Sequence, residues 1–79
     1  MKKKRPRTKN EILRDILKNC LEPIAISRAL SLANLHGHTW TKYRDIILQE
    51  GYVKRLPDLR IVITPKGKWF LRQMKENEG

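Results

Sequence analysis

The sequence has one cysteine, Cys20, among 79 residues. That excludes an intramolecular disulfide framework and fits a reducing compartment. No apolar run approaches the ~20 residues of a membrane span, so no membrane partner is expected. The basic opening, Met1-Lys2-Lys3-Lys4-Arg5, has no apolar stretch behind it and does not read as a secretory signal. There is no glycine-rich phosphate loop and no base–nucleophile pair at a suggestive spacing. With two histidines and one cysteine, an enzyme is not expected: no catalytic residue and no cofactor. A zinc site built from Cys20, His36 and His38 would lack a fourth ligand and the knuckle spacing, so no metal is expected. Acids are the scarcest charged class. Eight Asp and Glu stand against 18 Lys and Arg, for a net charge of +10. A pI near 10.3 points to a polyanionic partner, nucleic acid first.

The charge is unevenly placed. Residues 1–9 hold six of the 18 basic residues and no acid, and the remaining 12 basic and 8 acidic residues leave a net of +4. Pro6 disfavours helix at the residue before it. The expected organisation is an extended basic arm over residues 1–8 and a single domain over 9–79. A chain this short buries only about 60% of its unfolded surface, so the core must be compact.

Hydrophobic periodicity places the elements. Thr8 and Glu11 have the spacing of a capping box. Behind them Ile12, Leu13, Ile16, Leu17 and Cys20 line one face of a first helix, which Leu21-Glu22-Pro23 ends. Cys20 on that face reads as a small buried hydrophobe. A second helix is predicted from Ile24 to Ala33, with Ile26, Ala29, Leu30 and Ala33 inward. Asn34 to His38 is a turn rich in breakers, in which Leu35 alone can plug the core. A third helix is predicted from Thr39 to Glu50, its apolar side built on Trp40, Tyr43, Ile46, Ile47 and Leu48, with Gly51 as its stop. The period then shifts towards two: Tyr52–Leu56 and Arg60–Thr64 read as strands joined by Pro57-Asp58-Leu59. Thr64-Pro65 opens a last helix. Phe70, Leu71 and Met74 can pack inward from it, whereas Trp69 lies about 100° away from Phe70 on the wheel.

Three helices, a hairpin and a helix make an α+β chain. Its second and third helices are separated by a short turn containing Gly37, which is the helix-turn-helix layout, and the hairpin after them would be a wing. The same residues resemble a known family. The matching pieces are Glu11-Ile12-Leu13 through Cys20, Ala33-Asn34-Leu35, Lys42-Tyr43 with Asp45, Leu48-Gln49-Glu50-Gly51-Tyr52-Val53, and Ile63-Thr64-Pro65-Lys66-Gly67 with Phe70-Leu71. From Glu11 to Leu71 the chain is similar to the small archaeal winged-helix regulators. These include the chromatin-associated winged-helix proteins of thermophilic archaea and similar proteins of their viruses. The resemblance implies a winged helix-turn-helix fold and sequence-specific or architectural binding of double-stranded DNA, usually as a homodimer. It implies a cytoplasmic, nucleoid-associated protein, or one of the host cytoplasm if viral. The sequence departs from the family pattern in two places. Many relatives extend the last helix into a long antiparallel coiled coil, which is not expected here; a dimer would use Trp69 and Met74 on a short final helix. His36-Gly37-His38 also precedes the third helix, where Gly37 would let backbone N–H groups approach phosphate.

The residues expected at DNA follow from these placements. His38, Thr39, Thr41 and Lys42 face base edges and flanking backbone from the third helix, with Lys42 able to reach guanine O6/N7 or a phosphate. Arg44, to one side, reaches phosphate. Ser27 and Arg28 clamp the backbone from the second helix. Arg55 and Arg60 serve the wing, and Lys3, Lys4, Arg5 and Arg7 the arm. Two rival readings compete with this one. The first is a winged helix on RNA or the ribosome, which lacks an exposed aromatic pair for stacking. The second is a protein-interaction module using Trp69, which leaves the +10 charge without a role.

Overall fold

The computed structural model describes residues 7–78, with side chains described through Met74. Its elements are α1 (Lys9–Asn19), β1 (Ile24–Ala25), α2 (Ile26–Leu32), α3 (Gly37–Gln49), β2 (Val53–Arg55), β3 (Arg60–Ile63) and α4 (Pro65–Glu78). Among the described residues the strands form one antiparallel sheet in the order β1-β3-β2. The fold is α+β, as expected.

The start of α1 is fixed by side chains. Glu11 N–H donates to Thr8 Oγ1 at 3.1 Å, and Thr8 N–H donates to Glu11 Oε1 at 2.9 Å. Each bond satisfies a backbone donor that the first helical turn leaves without a partner. Leu13, Ile16, Leu17 and Cys20 are buried from this helix. Burial pushes the Cys20 thiol up from 9.0 to about 11.

The predicted second helix begins two residues too early. Ile24 and Ala25 are a strand, pairing with Ile61 and Arg60 of β3, so their backbone groups serve the sheet and α2 starts at Ile26. Asn19 Nδ2 donates to the Ala29 carbonyl at 3.1 Å and ties the end of α1 to α2. After α2 the chain reverses through Asn34 at φ +63, and Leu35 returns to the core, 3% exposed. The third helix begins at Gly37, two residues before the predicted start, and ends at Gln49. Gly37 takes φ +58, which an L side chain would strain. Tyr43 and Ile47 bury the inner face of α3, with Trp40, Ile46 and Leu48 packed part-buried beside them.

Both hairpin strands are shorter than predicted. Val53, Lys54 and Arg55 pair with Ile63, Val62 and Ile61. Ile61 and Ile63 point into the core, as the alternation required. The sheet is fastened to the end of α1 by a backbone bond from Ile63 N–H to the Cys20 carbonyl (2.8 Å), and the hairpin pairing continues one step past the strands from Thr64 N–H to the Tyr52 carbonyl (2.9 Å). Thr64 caps α4: its Oγ1 accepts from Gly67 N–H at 3.2 Å and donates to the Gly51 carbonyl. α4 packs on α1. Phe70 is buried against Tyr52, ring centroids 5.1 Å apart.

Candidate nucleic-acid interface

α3 carries its apolar residues on one side, so its other side is free. His38, Thr41, Lys42, Asp45 and Gln49 are all exposed. They recur at three- and four-residue steps and therefore form a single stripe down the helix. Thr39 is exposed beside its upper end. The stripe carries hydrogen-bond donors and acceptors in mixed order, the kind of surface that can read base edges. Its one acid, Asp45, accepts from Arg44 Nε and Nη2 at 3.3 Å. Arg44 lies to one side, part-buried, with its guanidinium 5.3 Å from the centre of the Trp40 ring. Lys42 is exposed, with its Nζ 5.8 Å from the Tyr43 ring centre.

Ser27 and Arg28 are exposed on the first turn of α2. In a helix-turn-helix pair this helix crosses the backbone while the second enters the groove.

Lys54, Arg55 and Arg60 are exposed on the hairpin. Lys54 flanks the hairpin tip with Arg55 and Arg60, as the sequence order places it, and joins the two arginines expected at the wing. Arg60 is not a free cation in this structure. Its Nε donates to Asp58 Oδ2 at 2.7 Å, its Nη2 is 2.6 Å from the same oxygen, and its backbone N–H donates to Asp58 Oδ1 at 3.2 Å. The hydrogen bond from the Arg60 guanidinium holds the Asp58 carboxyl below the usual carboxylate range. The same contact raises Arg60. An aspartate two residues before an arginine in a turn is a signal the sequence contained.

Arg7 has a structural role that its place in a basic run did not suggest. Its guanidinium donates to Asp15 Oδ2 at 2.7 Å and to the Ala33 carbonyl at 2.9 Å. The second contact satisfies a carbonyl at the C-terminal end of α2. Arg7 thereby fastens the root of the basic segment to the corner between α2 and α3. Lys3, Lys4 and Arg5 lie outside the described residues.

Trp69 is 58% exposed on α4. Met74 is part-buried against the core. Cys20 is fully buried with a raised thiol, the opposite of a poised nucleophile. Among the described residues no three His, Cys, Asp or Glu gather as a metal site. No described helix is long and apolar enough to cross a membrane.

A family model described as winged helix-turn-helix matches residues 6–78. The crystal structure of Sso10a-2, a DNA-binding protein from Sulfolobus solfataricus, is similar with a TM-score of 0.72 and 33% sequence identity, over 89% of this chain and 77% of that one. No curated protein sequence matches significantly.

Proposed function

The chain belongs to the winged helix-turn-helix family, and from that premise we propose that it binds double-stranded DNA and acts as a transcriptional regulator. The observation that carries the reading is the exposed polar stripe of α3, followed after three residues by a hairpin bearing Lys54, Arg55 and Arg60. The similarity to Sso10a-2 supports the same partner.

In this reading α3 lies in the major groove. Lys42 donates to guanine O6/N7, and His38, Thr39 and Thr41 contact neighbouring edges or phosphate oxygens. Arg44 reaches phosphate beside them. Ser27 and Arg28 hold the strand that α2 crosses, and the wing follows the adjacent backbone or minor groove through Arg55 and Arg60. Lys3, Lys4 and Arg5 add a further contact from the arm of residues 1–8, while Arg7 anchors it. A homodimer would place Trp69 at its seam, with Met74 beneath, and would sit with the nucleoid. Burial of the exposed Trp69 ring is the gain that favours it.

Fluorescence anisotropy on random-sequence duplexes and on the gene's upstream DNA, from 50 to 300 mM salt, tests the reading; if about six phosphates are neutralised, affinity falls about a thousandfold between 50 and 200 mM alone. Lys42→Ala should narrow the gap between preferred and random duplexes. Deleting residues 1–6 should weaken every duplex alike and flatten the salt dependence. Binding that structured RNA displaces more readily than duplex DNA would overturn the assignment.

A further inference from the structure

The wing carries a residue that the needs of its turn do not explain. The hairpin reverses through Pro57, Asp58 and Leu59. Leu59 N–H donates to the Leu56 carbonyl at 3.0 Å, and Leu56 N–H donates to the Arg60 carbonyl at 2.7 Å. This is the three-residue hairpin loop whose last position is left-handed, a place that glycine occupies without strain. Here that position is Leu59, at φ +72. Its side chain is also 83% exposed, the most exposed of the large hydrophobic residues described. By backbone conformation and by solvation alike, leucine is a poor choice for this turn. Residues held in such conformations cluster at sites of function.

The surroundings indicate the function. Lys54, Arg55 and Arg60 ring the base of the tip, against one carboxylate, Asp58, which Arg60 already holds. Those contacts, together with Pro57, pin the turn, so the leucine is presented on a rigid mount. Apolar anchors for protein partners sit in patches depleted of charge. An isolated leucine in a cationic collar fits a polyanion with an apolar interior instead. The stacked bases of a duplex, entered from the minor groove, are such an interior, and leucine is among the side chains that wedge between base steps.

We propose that Leu59 is an apolar wedge, which the wing inserts between two base pairs from the minor groove, unstacking them and bending the duplex. The proposal rests on the reading of the protein as a duplex-DNA binder. Phosphate contacts would carry affinity, and Leu59 would carry deformation. Flexible pyrimidine–purine steps would then be favoured even where no side chain reads a base edge.

The test uses the full chain and a duplex of about 20 base pairs, on the scale over which bending is resolved. Its central TpA steps carry 2-aminopurine in place of adenine, and its ends carry a donor–acceptor dye pair. Anisotropy reports binding, 2-aminopurine emission reports unstacking, and energy transfer between the ends reports bending. The wild-type protein should raise 2-aminopurine emission several-fold and shorten the end-to-end distance. Leu59→Gly relieves the backbone and keeps the fold. It should still bind at low salt while losing both the emission rise and the bend, and Leu59→Met should restore them. If the wild type binds but leaves the bases stacked and the duplex straight, or if Leu59→Gly deforms it equally, the wedge is refuted and DNA binding stands. If anisotropy does not change at all, the DNA reading itself fails and the wedge fails with it.

Discussion

Gly67 is the position where a single methyl group should do most harm. It lies in the first turn of α4, buried, with its N–H donating to Thr64 Oγ1. A Cβ built there would stand 2.3 Å from the Tyr52 carbonyl oxygen and 2.6 Å from Ile63 Cγ1. Ordinary contacts begin near 3.4 Å, so helix and hairpin would have to part by about 1 Å. The Ile63 side chain can turn aside, but the Tyr52 oxygen is backbone and already accepts from Thr64 N–H. Overpacking of this kind costs up to about 3 kcal/mol, sometimes more. The better helix propensity of alanine returns less than about 1 kcal/mol. A net loss of about 2 kcal/mol or more is expected for Gly67→Ala. Against a total stability of about 4–12 kcal/mol for a chain of this length, that is a large fraction. The melting temperature should fall by roughly 10 °C or more. Gly51→Ala is the control: φ is +75 but nothing lies within 4 Å of the added carbon, so the cost is backbone strain alone, about 1 kcal/mol. Urea unfolding followed by far-UV circular dichroism compares the two. A Gly67→Ala midpoint at or above that of Gly51→Ala would refute the steric argument.

Two further predictions concern stability. Leu59→Gly should raise stability by up to about 1 kcal/mol, read as a higher urea midpoint, because it removes left-handed strain at no loss of packing; a lower midpoint would show that the side chain serves the fold. Cys20 gives a pH dependence. In the unfolded chain the thiol titrates near 9.0, and in the folded chain near about 11. Between those values the unfolded state releases a proton that the folded state retains. Stability from this source is therefore full below pH 9 and falls as pH rises towards 11, by at most about 3 kcal/mol. The difference between wild type and Cys20→Ala melts across that range isolates it, and a flat difference would show that the thiol ionises in place.

Local chemistry was legible in the sequence and long-range pairing was not. The capping box at Thr8 and Glu11, the stop at Gly51 and the Thr64-Pro65 helix start depend on residues a few positions apart, and each lies where its chemistry placed it. The exposed stripe of α3 followed from periodicity in the same way. β1 escaped notice because two residues cannot display a period; only their partners in β3, over thirty positions later, make Ile24 and Ala25 a strand. Arg7 was read by its neighbours, all cations, whereas its role depends on Asp15 and on a carbonyl 26 residues away. Leu59 was visible as a turn residue, but its left-handed backbone and its exposure belong to the folded chain.

The Arg7 contacts set a tether length. With Arg7 held at the Ala33 carbonyl, Lys2 is five residues from a fixed point, and five extended residues span at most ~18 Å. Along a duplex that is roughly five base pairs, at 3.4 Å each. Covalent geometry alone thus bounds how far from Arg7 the four cations of residues 2–5 can reach. If residues 2–5 touch a duplex as proposed, that bound predicts that removing residues 1–6 shortens a nuclease footprint on one flank only, the side where α2 meets α3.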